Sequence, residues 1–295
     1  MKILFIGTVQ FSYHMLNALF DLNVELVGVV SGEDKGLNSD YVDLEPICTE
    51  KEIPILITGN INSEDSISWI KNKSPDAIFC MGWSQLIKKE VLGIPYLGIV
   101  GYHPAELPKN RGRHPLIWAL ALGLDQTAST FFFMDEGADS GNIISQDIVV
   151  ISSSDDAKSL YSKITKTATT QIKEVVSLIG DSKFTGTPQD HSLSNIWRKR
   201  NQSDGKIDWR MSATNIHNLV RALTRPYIGA HLEQGNQEFK VWSTRVIPYT
   251  GPENSEPGKI ISLDGIDSPL VVCGEDALEL ISVEPELGLK EGEYL

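Results

Sequence analysis

Two side chains near the middle of the chain, His103 and Asp139, are of the types that proton-transfer chemistry uses. His103 follows an apolar run, 97–100, that indicates the end of a buried strand, so a Gly-Tyr-His-Pro turn would hold its imidazole at the carboxyl edge of a sheet. Asp139 lies in a turn rich in carboxylates and glycine, after a second apolar strand at 130–134. Open α/β sheets bind ligands at that edge. Two adjacent strands that end in such turns therefore predict a histidine–aspartate pair.

The same residues also have a purely structural interpretation. A histidine before a proline is commonly a turn residue, and the Asp-x-Gly-x-Asp-x-Gly turn could be an ordinary loop, because it lacks the spacing and closing glutamate of an EF-hand. A longer pattern separates the two interpretations. It consists, in order, of His103-Pro-x-x-Leu-Pro-x-x-Arg-Gly, Gly123-Leu-Asp-x-Thr and Met134-Asp-x-Gly-x-Asp-x-Gly.

This three-part pattern resembles the signature of the folate-dependent formyltransferase family. The resemblance implies an enzyme that transfers a one-carbon group, with N10-formyltetrahydrofolate as co-substrate and no metal. The family core, Asn-x-His and a distant Asp, aligns with Gly101, His103 and Asp139, so the asparagine is missing here, as it is in the family's formyltetrahydrofolate hydrolase domain. Loss of one oxyanion donor costs roughly 100- to 1000-fold in rate. Three nearby side chains are candidates to replace it: Asn142, Asn110 and Tyr102.

The resemblance also implies which residues bind the two substrates. The folate is expected in a loop after the fourth predicted strand and in the turn before the catalytic aspartate, at Met81, Gly82, Trp83, Leu86, Asp135, Gly137 and Ala138. The second substrate is expected at the first βα turn, in the loop after the catalytic histidine and in the carboxyl-terminal region, at Thr8, Gln10, Phe11, Ser12, Lys109, Arg111, Gly112, Arg225 and Tyr227.

Apolar strands alternate with amphipathic helices in the first part of the chain, which predicts an α/β fold with a Rossmann-like, doubly wound, mostly parallel sheet. A long amphipathic helix, 158–179, is expected to close this catalytic domain, 1–185. A polar stretch, 186–196, is interpreted as a linker. Residues 197–295 then contain one helix, 213–223, capped by Ser212, and short strands that predict a smaller OB-like β domain.

Composition limits the partners of this protein. The net charge of −13 and the pI near 4.9 disfavour a nucleic acid, since Lys and Arg contacts to phosphates supply most of that affinity. No apolar run approaches the roughly 20 residues that span a bilayer, and the amino terminus does not resemble a secretory signal. We therefore expect a cytoplasmic protein without membrane association. Its three scattered cysteines predict neither a disulfide nor a metal site.

Three functions remain open from the sequence. A nucleotide-sugar N-formyltransferase of carbohydrate biosynthesis is favoured by the acidic charge and by a Pro226-Tyr-x-Gly-Ala segment that resembles such enzymes; a homodimer is left open by analogy with them. A local excess of cations, nine against four acids between 197 and 245, would suit a nucleotide diphosphate or would be a solvated surface. Methionyl-tRNA formyltransferase conflicts with the charge and with the short, acidic segment 32–43. Gly101 keeps open a formyltetrahydrofolate hydrolase or a weakly active binding protein.

Overall fold

The structure is a computed structural model that describes residues 1–34, 40–235, 237–252, 254–263, 265–266 and 268–295. Part of the acidic segment 32–43, at 35–39, lies outside the described residues. The chain forms two compact units. Unit 1 contains residues 1–115, 127–149 and 162–197, and unit 2 contains residues 116–126, 150–161 and 198–295.

Strands and helices alternate through the first half of the chain, as predicted. The strands up to residue 150 are β1 (Lys2–Ile6), β2 (Glu25–Ser31), β3 (Ile55–Ile57), β4 (Ala77–Cys80), β5 (Ile99–His103), β6 (Arg111–Gly112), β7 (Gln126–Phe133) and β8 (Ile143–Val150). The helices are α1 (Gln10–Phe20), α2 (Glu45–Glu50), α3 (Glu64–Lys73), α4 (Lys89–Leu92), α5 (Pro115–Ala121) and α6 (Ala157–Gly180). After α6 come β9 (Ile196–Trp197), α7 (Ala213–Leu223), β10 (Ala230–Gln234), β11 (Gln237–Ile247), β12 (Ile260–Ile261), β13 (Leu270–Val272) and β14 (Ala277–Glu284).

The larger sheet has seven strands in the order β3-β2-β1-β4-β5-β7-β8. The first five are parallel, and the order reverses between β1 and β4, which opens a crevice at their carboxyl ends. Parallel strands are covered on both faces and read as continuous apolar runs; Ile3, Leu4, Phe5 and Ile6 are fully buried accordingly. This confirms the predicted doubly wound, mostly parallel sheet.

The β5–β7 pair differs from the prediction. The two strands are antiparallel, with His103 opposite Thr130 and Val100 opposite Phe133. The end of β7 therefore lies beside the start of β5, and strand direction alone would separate His103 from the turn that carries Asp139. β8, which the sequence analysis did not predict, follows that turn and joins the sheet beside β7.

The smaller sheet belongs to unit 2 and confirms the carboxyl-terminal β domain. Its five strands are antiparallel, in the order β10-β11-β14-β13-β12. α7 covers it with an apolar face and begins where predicted, because the Ser212 side chain accepts a hydrogen bond from the backbone N–H of Asn215 at 3.2 Å. Within the described residues, no helix combines the length and the apolar character needed to cross a bilayer.

The Ser12 hydroxyl links the two segments that follow β1 and β4. It donates to the carbonyl oxygen of Met81 at 2.6 Å and accepts from the backbone N–H groups of Thr8 and Val9 at 3.0 and 3.1 Å. Ser12 is fully buried. One side chain thus joins the turn after β1 to the loop after β4.

Replacement of Ser12 by alanine is expected to lower the free energy of unfolding by about 2 kcal/mol, because three backbone groups lose their partner where water has little access. Urea denaturation followed by circular dichroism measures this. Ser203→Ala is the control, since the Ser203 side chain is exposed and its hydroxyl donates, among the described residues, to the Asn201 side chain. Equal stability of the two variants would contradict the role assigned to Ser12.

Candidate active site

His103 is the last residue of β5, so a strand holds the imidazole and not the predicted turn. The residue is 4% exposed. Its Nε2 lies 2.7 Å from the carbonyl oxygen of Asn110. Because a carbonyl oxygen only accepts, Nε2 carries the proton of the hydrogen bond, and Nδ1 of the neutral ring keeps its lone pair. The strand and the carbonyl together set the position and the tautomer of the ring.

Asp139 lies opposite that lone pair. Its Oδ2 is 3.6 Å from His103 Nδ1 and accepts a hydrogen bond from the backbone N–H of Gly112 at 2.8 Å. The Asp139 side chain is 21% exposed, so small solutes can reach the carboxylate. A proton bound at Nδ1 would place an imidazolium directly against the carboxylate. The pair is therefore built to take up and release one proton.

Gly112 can present its N–H to Asp139 because it has no side chain. It has a φ of 103°, and an added Cβ would overlap the carbonyl oxygen of Trp197. This crowding arises because β6 pairs with β9, with Gly112 opposite Trp197. Residues 196–197 therefore help to place a hydrogen-bond donor at the Asp139 carboxylate.

A buried hydrogen-bond network lies behind the pair, and the sequence analysis did not predict it. Arg111, expected to bind substrate, is 6% exposed; its Nε and Nη2 donate to Gln189 Oε1 at 3.2 and 2.6 Å, and Nη2 also contacts His191 Nδ1 at 3.1 Å. Gln189 Nε2 donates to the carbonyl oxygens of Asp139 and Gly141. Gln189 belongs to the stretch interpreted as a linker, 186–196, which has no periodicity that would reveal a buried side chain.

The space beside Gly101 is filled. Gly101 and His103 point to the same face of β5, since side chains alternate along a strand. A Cβ on Gly101 would come within 2.8 Å of Phe132 Cζ and of Met134 Cγ. The position where the family has asparagine is thus occupied by side chains of β7 and of the residue that follows it.

Two of the three candidates for the missing donor are used elsewhere. Tyr102 points to the opposite face of β5, where it stacks on Phe11 with 4.4 Å between ring centroids; its hydroxyl lies 2.9 Å from Ser129 Oγ. Burial raises the pKa of Tyr102 above its ordinary value. The Asn142 amide donates to the carbonyl of Thr185 at 2.8 Å. Asn110 is the remaining candidate, and its backbone carbonyl oxygen accepts the hydrogen bond from His103 Nε2.

The residues expected to bind folate form two groups at the carboxyl edge of the sheet. Met81 is fully buried and Leu86 is 59% exposed, and Gly82 and Trp83 lie between them. Trp83 Nε1 is buried and has no hydrogen-bond partner among the described residues. In the second group, Asp135 Oδ1 accepts from the N–H of Gly137 and from Ser140 Oγ, so this carboxylate shapes its own turn; Ala138 is exposed.

The residues expected to bind the second substrate belong to both units, and those of unit 1 already have partners or burial that limit their availability. Ser12 already binds the N–H groups of the first βα turn, which are therefore not available to an anion. Thr8 and Phe11 are buried, and Gln10 Nε2 contacts His14. Lys109 is exposed and lies 3.7 Å from Glu106.

Arg225 and Tyr227 belong to unit 2. There the Arg225 guanidinium binds Glu284 at 3.0 Å and lies over the ring of Trp242, 4.7 Å from its centroid. The Trp242 indole donates to the same Glu284 oxygen at 3.0 Å. Arg225 thus forms an exposed cluster with Trp242 and Glu284 at the smaller sheet.

Comparisons with known proteins agree with this fold and site. Residues 1–176 match the formyl transferase family, and residues 199–290 match the formyl transferase C-terminal domain family. The chain therefore belongs to the formyl transferase family, whose members are enzymes of one-carbon group transfer.

Three solved structures give the range of similarity. A variant of HypX from Aquifex aeolicus is 18% identical with a TM-score of 0.64; the match covers 96% of this chain and 45% of HypX, so this chain spans less than half of that protein. An N-formyltransferase from Helicobacter canadensis, in complex with folinic acid and dTDP-3-aminofucose, is 17% identical with a TM-score of 0.68 and coverages of 95% and 99%. Methionyl-tRNA formyltransferase from Clostridium thermocellum is 17% identical with a TM-score of 0.59 and coverages of 93% and 100%. At such identities the likeness establishes the fold.

An asparagine at position 101 is expected to destabilise the protein, because its side chain must displace Phe132 and Met134. Overpacking of this kind costs about 1 to 3 kcal/mol. Urea denaturation of Gly101→Asn measures it, with Gly180→Asn as the control, since a Cβ at Gly180 meets nothing within 4 Å. A Gly101→Asn protein as stable as the control would mean that the space is open after all.

Proposed function

We propose that this protein is an N-formyltransferase that moves a formyl group from N10-formyltetrahydrofolate to the amine of a nucleotide-linked amino sugar. The observation that carries the proposal is the His103–Asp139 pair, with 3.6 Å between Nδ1 and Oδ2, at the carboxyl edge of a formyl transferase sheet. That edge is where open α/β sheets bind their ligands.

Formyl transfer to an amine needs a base for the amine proton, a hydrogen-bond donor to the formyl oxygen and an acid for the leaving nitrogen. Asp139, the more exposed member of the pair, accepts the amine proton or aligns its route. His103 donates to the formyl oxygen and relays a proton. Because the Nε2 proton is held by the Asn110 carbonyl, only Nδ1 can serve in these steps. His103 therefore acts as a donor when Nδ1 is protonated, with the Asp139 carboxylate balancing its charge.

The loop after β4 has chemistry that fits a folate. Trp83 supplies a flat apolar surface and an indole N–H that is buried and unpaired among the described residues. A buried donor without a partner carries a free-energy cost that a ligand acceptor can remove. A pterin ring offers both an aromatic face and several acceptors. The neighbour from Helicobacter canadensis, solved with folinic acid, gives independent support for a folate co-substrate.

Charge supports a small substrate over tRNA. Six of the nine cations between 197 and 245 form ion pairs within unit 2: Arg198–Asp204, Lys206–Glu233, Arg210–Asp208, Arg225–Glu284, Lys240–Glu238 and Arg245–Glu279. The hydrogen bond from Arg198 holds the pKa of Asp204 well below its ordinary value. Four of these six acids are the four already counted in that stretch, so pairing with Glu279 and Glu284 lowers the excess of cations from five to three, which favours the interpretation of this cluster as a structural surface. With a net charge of −13, little remains to attract a polyanion.

The filled space at Gly101 favours a second candidate function, formyltetrahydrofolate hydrolysis. Without the asparagine donor, transfer to a bound amine loses part of its oxyanion stabilisation. Water is then a competing nucleophile, because the pair activates it as it would an amine.

Formyl transfer to a nucleotide-linked amino sugar is expected to fall at least 100-fold in His103→Ala and in Asp139→Asn, since each removes one half of the proton-transfer pair. A coupled assay that follows tetrahydrofolate release at saturating formyl donor, over a panel of nucleotide-linked amino sugars, measures the rate. His14→Ala and Asp181→Asn are matched controls on exposed histidine and aspartate side chains.

The same assay separates the alternatives. Tetrahydrofolate released without any amine, and abolished in His103→Ala, would support hydrolysis and reject the sugar proposal. Formylation of methionyl-tRNA, with binding that weakens steeply as salt is raised, would support the tRNA activity. Wild-type rates in both site variants would reject the assigned pair altogether.

A further inference from the structure

Gln189 joins the two segments that hold the catalytic carboxylate in place. All of its amide hydrogen bonds lie within unit 1, and the residue is 7% exposed. Oε1 receives two hydrogen bonds from Arg111, and Nε2 donates to the carbonyls of Asp139 and Gly141 at 2.9 and 2.6 Å. A guanidinium only donates and a carbonyl only accepts, so the amide can take only this orientation.

The hydrogen bond from Gln189 Nε2 to the Asp139 carbonyl lies at a residue whose backbone conformation is unfavourable. Asp139 has a φ of 53°, in the left-handed region, which costs an L residue about 1 to 2 kcal/mol. In this conformation the side chain turns towards His103 and Gly112. Gln189 binds the carbonyl of the same residue, and the carbonyl of Gly141 beyond it, and so stabilises the turn in this strained form.

Arg111 anchors the other end of the bridge. Its guanidinium is buried and its backbone N–H donates to the carbonyl of Asn195 at 3.1 Å. The next residue, Gly112, donates its N–H to Asp139 Oδ2. The turn and β6 are therefore joined twice, once through the carboxylate and once through Gln189.

Building on the formyl transfer proposed above, we propose that Gln189 is a positioning residue whose Nε2 donor sets the Asp139 carboxylate against His103 Nδ1. It does not face the reacting atoms. Its effect is on geometry, and a displacement of about 1 Å can lower a rate about 100-fold. The Nε2 group of Gln189 carries this function, since it donates to the carbonyl oxygens of Asp139 and Gly141.

Replacement of Gln189 by glutamate distinguishes the role of the amide oxygen, which accepts from Arg111, from that of the amide nitrogen, which donates to two carbonyls. Gln189→Glu keeps an acceptor, now charged, for Arg111, but replaces the Nε2 donor by an oxygen facing two carbonyls. Gln189→Ala removes both groups. If the Nε2 donor positions Asp139, both variants lose kcat about 100-fold per folded molecule, with KM for amine and folate changed by less than about threefold. Gln171→Ala is the matched control: Gln171 is 3% exposed and donates to Ser129 and Ser145, and wild-type kcat is expected.

A spectroscopic readout tests the geometry without turnover. In protein labelled with 15N-histidine, the Nδ1 resonance of His103 is expected to move in Gln189→Glu towards its position in Asp139→Asn, and to stay at the wild-type position in Gln171→Ala. A Gln189→Glu protein with wild-type kcat and an unmoved resonance would overturn the assignment. So would losses of kcat that only follow the folded fraction. If the wild-type protein transfers no formyl group, the proposed function fails, and the resonance alone decides the inference on Gln189.

Discussion

A single carboxylate oxygen, Asp139 Oδ2, connects three parts of unit 1 that are distant in sequence. It lies 3.6 Å from the imidazole at the end of β5 and accepts the N–H of Gly112 in β6, while its own turn joins β7 to β8. The hydrogen bonds of Asp135 shape the turn from within, and Asp139 has a left-handed backbone. The pairing of β6 with β9 and the Gln189 bridge connect this turn to the chain that follows α6. The arrangement of His103 and Asp139 therefore involves the chain that follows α6 as well as the sheet.

Close packing beside Gly101 limits which side chains the site can contain. Phe132 and Met134 fill the space that a side chain at position 101 would need. An aromatic ring over a glycine in the neighbouring strand stabilises the sheet but leaves the site with one hydrogen-bond donor fewer. In the proposed mechanism, His103 then carries more of the stabilisation of the formyl oxygen.

Many of the charged side chains of unit 2 form ion pairs with one another. In unit 2, carboxylates of the smaller sheet, Glu279 and Glu284, bind Arg245 and Arg225, so cations and acids that look separate along the chain neutralise each other. Exposed ion pairs of this kind contribute little stability individually. Their consequence is electrostatic: the net charge of the protein remains acidic without a concentrated basic surface. This is compatible with a small ligand held by a few specific contacts.

The sequence by itself determined the family, the doubly wound sheet and the smaller β domain, because periodicity and local motifs act over short ranges. It also singled out His103 and Asp139 as a candidate pair. It placed helix 213–223 correctly, since the cap and the apolar face lie within one segment. Only the tertiary structure decided how the pair meets. β5 and β7 are antiparallel, so His103 and Asp139 come together through the returning turn and not through strands that end side by side. The tertiary structure alone also revealed the buried Arg111–Gln189 hydrogen bonds and the side chains that pack over Gly101. These contacts join residues that are far apart in sequence, so no local sequence pattern predicts them.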